Sequence, residues 1–307
     1  MTKSDDLPGW KKSPLRLDVR TPAKAAREGL SGARIVAEVP LGLLCSGIAH
    51  LPGGAILALH DDSGVCEVRP GEKPRLLFDI DDGEGIAADP AGRHVYVVEE
   101  RKRRVRKLEV RRDGKDRLAL RDTGEDRRLP KLKASDNTGW EGLAFLPAKR
   151  IGGKHDHLAC VHEGSPRRIG VYVLPDLDEG LTLKLPKTAK EALPDLSDVA
   201  LEPATGHLFV VSDRSRTIVE FAFSHGKGAA SGLIGNVKLE ALAVIPLPLS
   251  KRRKPEALAF DGAGRLWVGL DEEDDTREDG EALVLELTRP RPTGRAGKSG
   301  RRQSASP

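Results

Sequence analysis

One short grammar recurs five times along this chain of 307 residues, and nothing else in the sequence constrains the fold as strongly. The units are "SGIAHLPGGAILALHDD" from Ser46, "EGIAADPAGRHVYVVEER" from Glu84, "EGLAFLPAKRIGGKHDHLACVHEG" from Glu141, "SDVALEPATGHLFVVSDR" from Ser197 and "EALAFDGAGRLWVGLDEE" from Glu256. Each opens on Ser or Glu and carries alanine at its fourth position (Ala49, Ala87, Ala144, Ala200, Ala259). A Pro/Gly turn follows, then a second apolar run that ends on an acid: Asp61, Glu100, Glu163, Asp213 or Asp271. Repetition at this period, built of short strands, points to a solenoid or a propeller.

Third and fourth strand-like runs follow in most units, such as "VRKLEV" and "RLALRD" in the second. Long helical periodicity is missing, apart from a short stretch at 22–30. Units of three or four strands predict an all-β fold, a β-propeller. Five blades are favoured and six stay open, since residues 14–44 hold only the runs "PLRLDV" and "ARIVAEV". The fifth unit lacks a fourth strand, so one of these runs is expected to complete it and close the ring, which removes exposed edges. The expected layout is a flexible arm over 1–13, one propeller over 14–288 and a disordered basic tail over 289–307. Aromatic residues make up only 4% of the chain, so the core must rest on Leu, Val, Ile and Ala.

Strands joined by short turns run antiparallel, so the start of each first strand lies beside the end of the second. In a propeller both ends meet at one mouth of the central channel. Two rings of side chains are therefore expected there. The first is Ser46, Glu84, Glu141, Ser197 and Glu256; the second is Asp61, Glu100, Glu163, Asp213 and Asp271. So many carboxylates in one funnel raise each other's proton affinity unless a cation, internal arginines or open water compensates. A hard divalent cation, calcium foremost, suits oxygen ligands without thiolates. Glu84, Glu141 and Glu256 are the candidate metal ligands. Ser46, Asn137, Trp140, Ser197 and Arg214 are candidate ligand contacts, and Glu163, Asp213 and His162 candidate proton carriers. The competing reading makes the second-ring acids turn caps, solvated or paired with Arg101, Arg167, Arg168 and Arg214. Trp140 and His162 equally suit structural packing.

The stretches "NTGWEGLAF", "DLSDVALEPATGHLFVVSDRS" and "KPEALAFDGAGRLWVGLDEE" resemble the SdiA-regulated family of bacterial β-propellers and the related phytase-like esterases. The likeness spans roughly residues 45–288. It implies a propeller, often with a metal on the axis, and a loosely defined activity. By position Glu84, Glu141 and Glu256 match the family's glutamates, and Ser46 and Ser197 its serine openings. Asp198 and Ala257 depart from it, standing where glycine is usual.

Two functions follow as expectations. One is a binding propeller that holds a divalent cation and a small-molecule ligand, anionic in character, or a protein ligand. The other is a metal-assisted hydrolase of a phosphoester, carboxyl ester or lactone. The basic runs "RKRRVRK" (101–107) and "KRRK" (251–254) are read as solvated strand faces rather than a nucleic-acid surface. "KHDH" (154–157) has too few clustered ligands for a zinc site. Three scattered cysteines, an N-terminus without an apolar leader and no long apolar run suggest a cytoplasmic protein without a membrane anchor.

Overall fold

Short β-branched and leucine-rich runs, separated by Gly/Pro turns, leave each segment long enough for one strand and no more. A computed structural model describes residues 29–60, 62–113, 117–130, 139–148, 155–164, 167–177, 180–225, 237–272 and 280–289. The first strand, β1, spans Gly32–Pro40. Blade one follows with β2 (Gly47–His50), β3 (Ile56–His60), β4 (Gly64–Val68) and β5 (Arg75–Phe78). Blade two holds β6 (Gly83–Ala88), β7 (His94–Glu99), β8 (Arg104–Arg112) and β9 (Leu118–Arg128). Blade three holds β10 (Trp140–Leu146), β11 (His157–His162), β12 (Arg168–Val173) and β13 (Gly180–Leu183). Blade four holds β14 (Asp198–Leu201), β15 (Leu208–Ser212), β16 (Thr217–His225) and β17 (Val237–Pro246). Blade five holds β18 (Arg253–Phe260), β19 (Leu266–Glu272) and β20 (Glu281–Thr288).

β1 supplies the missing strand. It pairs antiparallel with β20, from Gly32 opposite Thr288 to Pro40 opposite Glu281, giving the order β1-β20-β19-β18. The ring is thus a five-bladed β-propeller closed by an N-terminal strand. The inner strands touch in sequence, β2 to β6, β10, β14, β18 and back to β2. The run "PLRLDV", the arm and the tail lie outside the described residues.

The repeated alanine has a packing cause. In each inter-blade cluster the fourth-position alanine of one blade shares its cluster with the branched third-position side chain of the next. The pairs are Ala49 with Ile86, Ala87 with Leu143, Ala144 with Val199, Ala200 with Leu258, and Ala259 with Ile48. A small residue facing a large one lets inner strands approach without overpacking. Unforeseen was α1, the single-turn helix Lys187–Ala192, which drops Ala189 and Leu193 into the core between blades three and four. It is too short to leave a readable helical period.

Candidate functional site

The three glutamates that open inner strands are not ordinary strand residues. Pairing of β6 with β7 skips between Gly83 and Gly85, β10 with β11 between Trp140 and Leu143, and β18 with β19 between Pro255 and Ala257. Glu84, Glu141 and Glu256 therefore sit in β-bulges, which unpair a residue and re-aim its side chain. In the serine-opened blades the inner strand pairs with its neighbour without a bulge, and Ser46 and Ser197 bond through their backbone N–H to the carbonyls of Leu59 and Val211.

A pocket of about 290 Å³ opens at this mouth, lined by Ser46, Glu84, Glu141, Glu163, Ser197, Asp213, Lys254, Glu256 and Asp271. All five first-position residues and three second-ring acids thus converge. Burial and then the charges of Glu84, Glu100, Glu163 and Glu256 raise the Glu141 carboxyl well above its ordinary value. Burial, Asp213 and Asp271 push Glu256 up to about 8, against a hydrogen bond from Ser197 and the Lys254 ammonium. Glu163 is raised by burial and Asp213. Glu100 is raised by burial, Asp82 and Glu163, and it shares a hydrogen bond with Glu141. Two carboxyls can share such a bond only when one holds a proton.

The glycines after the first two glutamates are required by close approach. A Cβ on Gly85 would lie 2.5 Å from the Glu141 carbonyl oxygen, and one on Gly142 would lie 2.3 Å from Asp198 Cα. Asp198, one of the two departures from the expected glycine, uses this room. Its fully buried carboxylate accepts from Val199 N (2.7 Å) and Leu258 N (2.6 Å), tying blade four to blade five beneath the pocket. Burial raises its carboxyl well above the ordinary range.

Two further acids carry the arginines. Asp82, at a left-handed φ of 68°, accepts from Arg101 N (2.6 Å) and pairs with Arg101 Nε at 3.0 Å. Asp195 pairs with Arg214 at 3.3 Å, is hydrogen-bonded to Ser212 and Asp213, and is pushed up to about 7, chiefly by burial. Of the arginines expected to neutralise the second ring, Arg101 and Arg214 make their ion pairs with Asp82 and Asp195, while their charges still oppose the rise at Glu100 and Glu163. Oxygens of Asp82, Glu84 and Glu100 all lie within 4.8 Å of one another, close enough to grip one ion. The sequence reading missed Asp82, Asp195 and Lys254. Lys254 was hidden in a basic run.

Several expected contacts fall elsewhere. Trp140 does not line the pocket: it is buried, donates from Nε1 to the Pro130 carbonyl (3.1 Å), and meets Tyr172 and His162 edge-on. His162 is likewise in the core beside Trp140, with Nδ1 3.3 Å from the Gly164 carbonyl oxygen and its pKa lowered by burial, so it is no proton carrier for this pocket. Alternation explains both, since each directly adjoins a glutamate and so projects to the opposite face. Arg214 is exposed and engaged by Asp195 rather than lining the pocket. Arg167 bonds the carbonyls of Lys190 and Leu193. Asn137 and Asp61 lie outside the described residues.

Other charged clusters are internally paired. In the first basic run Arg104 bonds Glu99 and Asp126, Arg106 bonds Asp122, and Lys107 bonds Glu125. Glu202, His207 and Glu220 also converge closely, and there Arg289 stands as the cation, bonded to both glutamates. Leu30 N donates to the same Glu220 (2.8 Å). Of the described residues in "KHDH", none joins a metal-competent group. No described helix is long and apolar enough to cross a membrane.

A family model described as SdiA-regulated matches residues 73–271, and no curated protein matches the chain. Among solved structures, the chain is similar to the PQQ-bound aldose sugar dehydrogenase of Streptomyces coelicolor, at 15% identity over 87% of this chain and 100% of that one, with a TM-score of 0.48. It is similar to the holo PQQ domain of pyranose dehydrogenase from Coprinopsis cinerea, at 9% identity over 91% and 99%, with a TM-score of 0.47. A calcium structure of a family AA12 carbohydrate-active enzyme of Trichoderma reesei aligns at 11% identity over 90% and 100%, with a TM-score of 0.41.

Proposed function

The chain belongs to the SdiA-regulated family, and from that premise we propose that its acidic axial pocket binds a divalent cation, calcium first, together with a small-molecule ligand. The observation that carries this is the concentration of carboxyls with raised proton affinity in one pocket of about 290 Å³. Such a site must hold protons or a cation. The donor set fits a hard cation: carboxylates and serine hydroxyls line it, while all three cysteines are buried elsewhere. Glu84, Glu141 and Glu256 are its candidate ligands, with Asp82 and Glu100 beside Glu84. A bound ion would replace the proton shared by Glu100 and Glu141. Lys254 favours a ligand with an anionic group, which would bridge ammonium and metal. Ser46 and Ser197 would position it.

The hydrolase reading draws on one further feature. Glu163 shares the pocket, and burial and Asp213 raise its carboxyl, the direction a general acid requires. Asp213 beside it would then accept protons, and the cation would polarise a phosphoryl or carbonyl oxygen. The binding role needs fewer assumptions and is preferred.

Titration calorimetry with calcium on the whole chain tests the proposal. Binding that weakens at least ~tenfold in Glu141→Gln supports it; one lost charged ligand is worth about that or more. Absent binding, or equal binding in the variant, removes it. Turnover of a phosphoester, carboxyl ester or lactone that vanishes in Glu163→Gln would favour the hydrolase.

A further inference from the structure

The other mouth of the axis holds a larger cavity, of about 840 Å³, that shares no lining residue with the acidic pocket. Its wall is built from the third and fourth positions of all five inner strands, with Phe145, Leu201, Phe260 and Trp267 nearer the mouth. Ligand sites of drug-like molecules occupy this size range and are mainly apolar.

Its acids are already engaged in turn structure. Asp89 accepts from Arg93 N (3.1 Å) and His94 N (3.0 Å) and meets the His94 ring. Asp261 accepts from the backbone N–H of Ala263 and Arg265, from Arg265 Nε (2.7 Å) and from Trp267 Nε1 (3.0 Å). The half-exposed Arg265 guanidinium is ion-paired with Asp261 through Nε. His50 lies edge-on to Trp267 at 4.7 Å, and burial lowers its pKa to about 4, so it is neutral at pH 7. Among the described residues, the lining therefore offers a charged ligand no unengaged counter-charge. An ionised group would lose its hydration there with nothing in return.

We propose that this second cavity is a binding site for an uncharged, largely apolar small molecule carrying a ring system, which packs between Phe145, Phe260 and Trp267. It stands opposite the acidic pocket and is independent of it. Aromatic walls favour offset or edge-on contact with a ring, and the apolar surface removed from water supplies the driving force.

The test is a fluorescence titration of the full chain with an uncharged environment-sensitive dye, Nile red, repeated with N-phenyl-1-naphthylamine. A drug-sized apolar probe should bind at ~10 µM or tighter. Two variants probe the location. A Cβ at Gly262 meets nothing within 4 Å, so Gly262→Trp adds bulk at the mouth without disturbing the core. Half-buried Leu201→Asp places a charge in the wall. Thermal melts establish that each is folded. Dye binding weakened at least ~tenfold in either folded variant, and unchanged between EDTA and calcium, supports the site. No binding by the native chain, native-like binding by both folded variants, or affinity that follows calcium overturns it.

Discussion

Replacing Glu256 by glutamine should change how stability depends on pH. In the folded chain Glu256 is pushed up to about 8, against an ordinary value of 4.5. For an acid with a raised folded pKa, the folded state holds the proton longer, so unfolding releases it. Stability is then greatest below 4.5 and declines as pH rises towards 8. Buried His50 and His157, both lowered to about 4, act in the opposite sense below about 6.5, where unfolding lets them gain protons. The clean window therefore starts at pH 6.5. Between 6.5 and 8.5 the Glu256 term alone amounts to about 2 kcal/mol, at 1.36 kcal/mol for each tenfold step of proton activity. For a domain of this size that is a fall of ~3–4 °C in Tm. The assay is scanning calorimetry in EDTA at several pH values. Native protein should lose stability across the window, Glu256→Gln should be flatter, and millimolar calcium should flatten the native profile. A native Tm that stays level or rises in EDTA, or an unchanged slope in Glu256→Gln, refutes the argument that these carboxyls are uncompensated.

Three further outcomes are expected. Calcium binding at pH 6.5 should release about one proton or more, read as a dependence of the calorimetric heat on buffer ionisation enthalpy. Asp198→Ala leaves the N–H groups of Val199 and Leu258 without their acceptor, so urea titration should show a loss of about 2–4 kcal/mol. Glu220→Ala removes the partner of Arg289, His207 and Leu30 N in one step; breaking such a buried cluster should cost about 3–5 kcal/mol, again by urea titration.

Most of the fold was legible because a propeller writes itself repeatedly. The turn, the apolar run and the acidic strand end occur in every blade, and the closing strand was expected from one of two runs, of which "ARIVAEV" is the one that pairs with β20. The convergence of Glu84, Glu141 and Glu256 followed from antiparallel pairing within a closed ring of repeats. What stayed hidden lay outside the repeat or on the other strand face. Bulges are invisible in a single sequence, since an extra residue alters pairing but not composition. Trp140 and His162 looked like site residues because they adjoin glutamates, yet adjacency along a strand means opposite directions. Asp82 and Asp195 each stand two residues before the first position of their unit, outside the span over which the repeat was read. Asp198 read only as a departure from glycine, while the backbone N–H groups it satisfies belong to residues 199 and 258.

The pairing of β1 with β20 has a bearing on biogenesis. Among the described strands, β1 leaves the ribosome first and β20 last. Until β20 has emerged, β1 lacks the strand it pairs with. A nascent chain must keep that lone edge from foreign strands while four blades form ahead of it. Arg34 and Glu38 put charge on it during the wait. A stop anywhere before residue 281 would leave an open arc rather than a smaller ring.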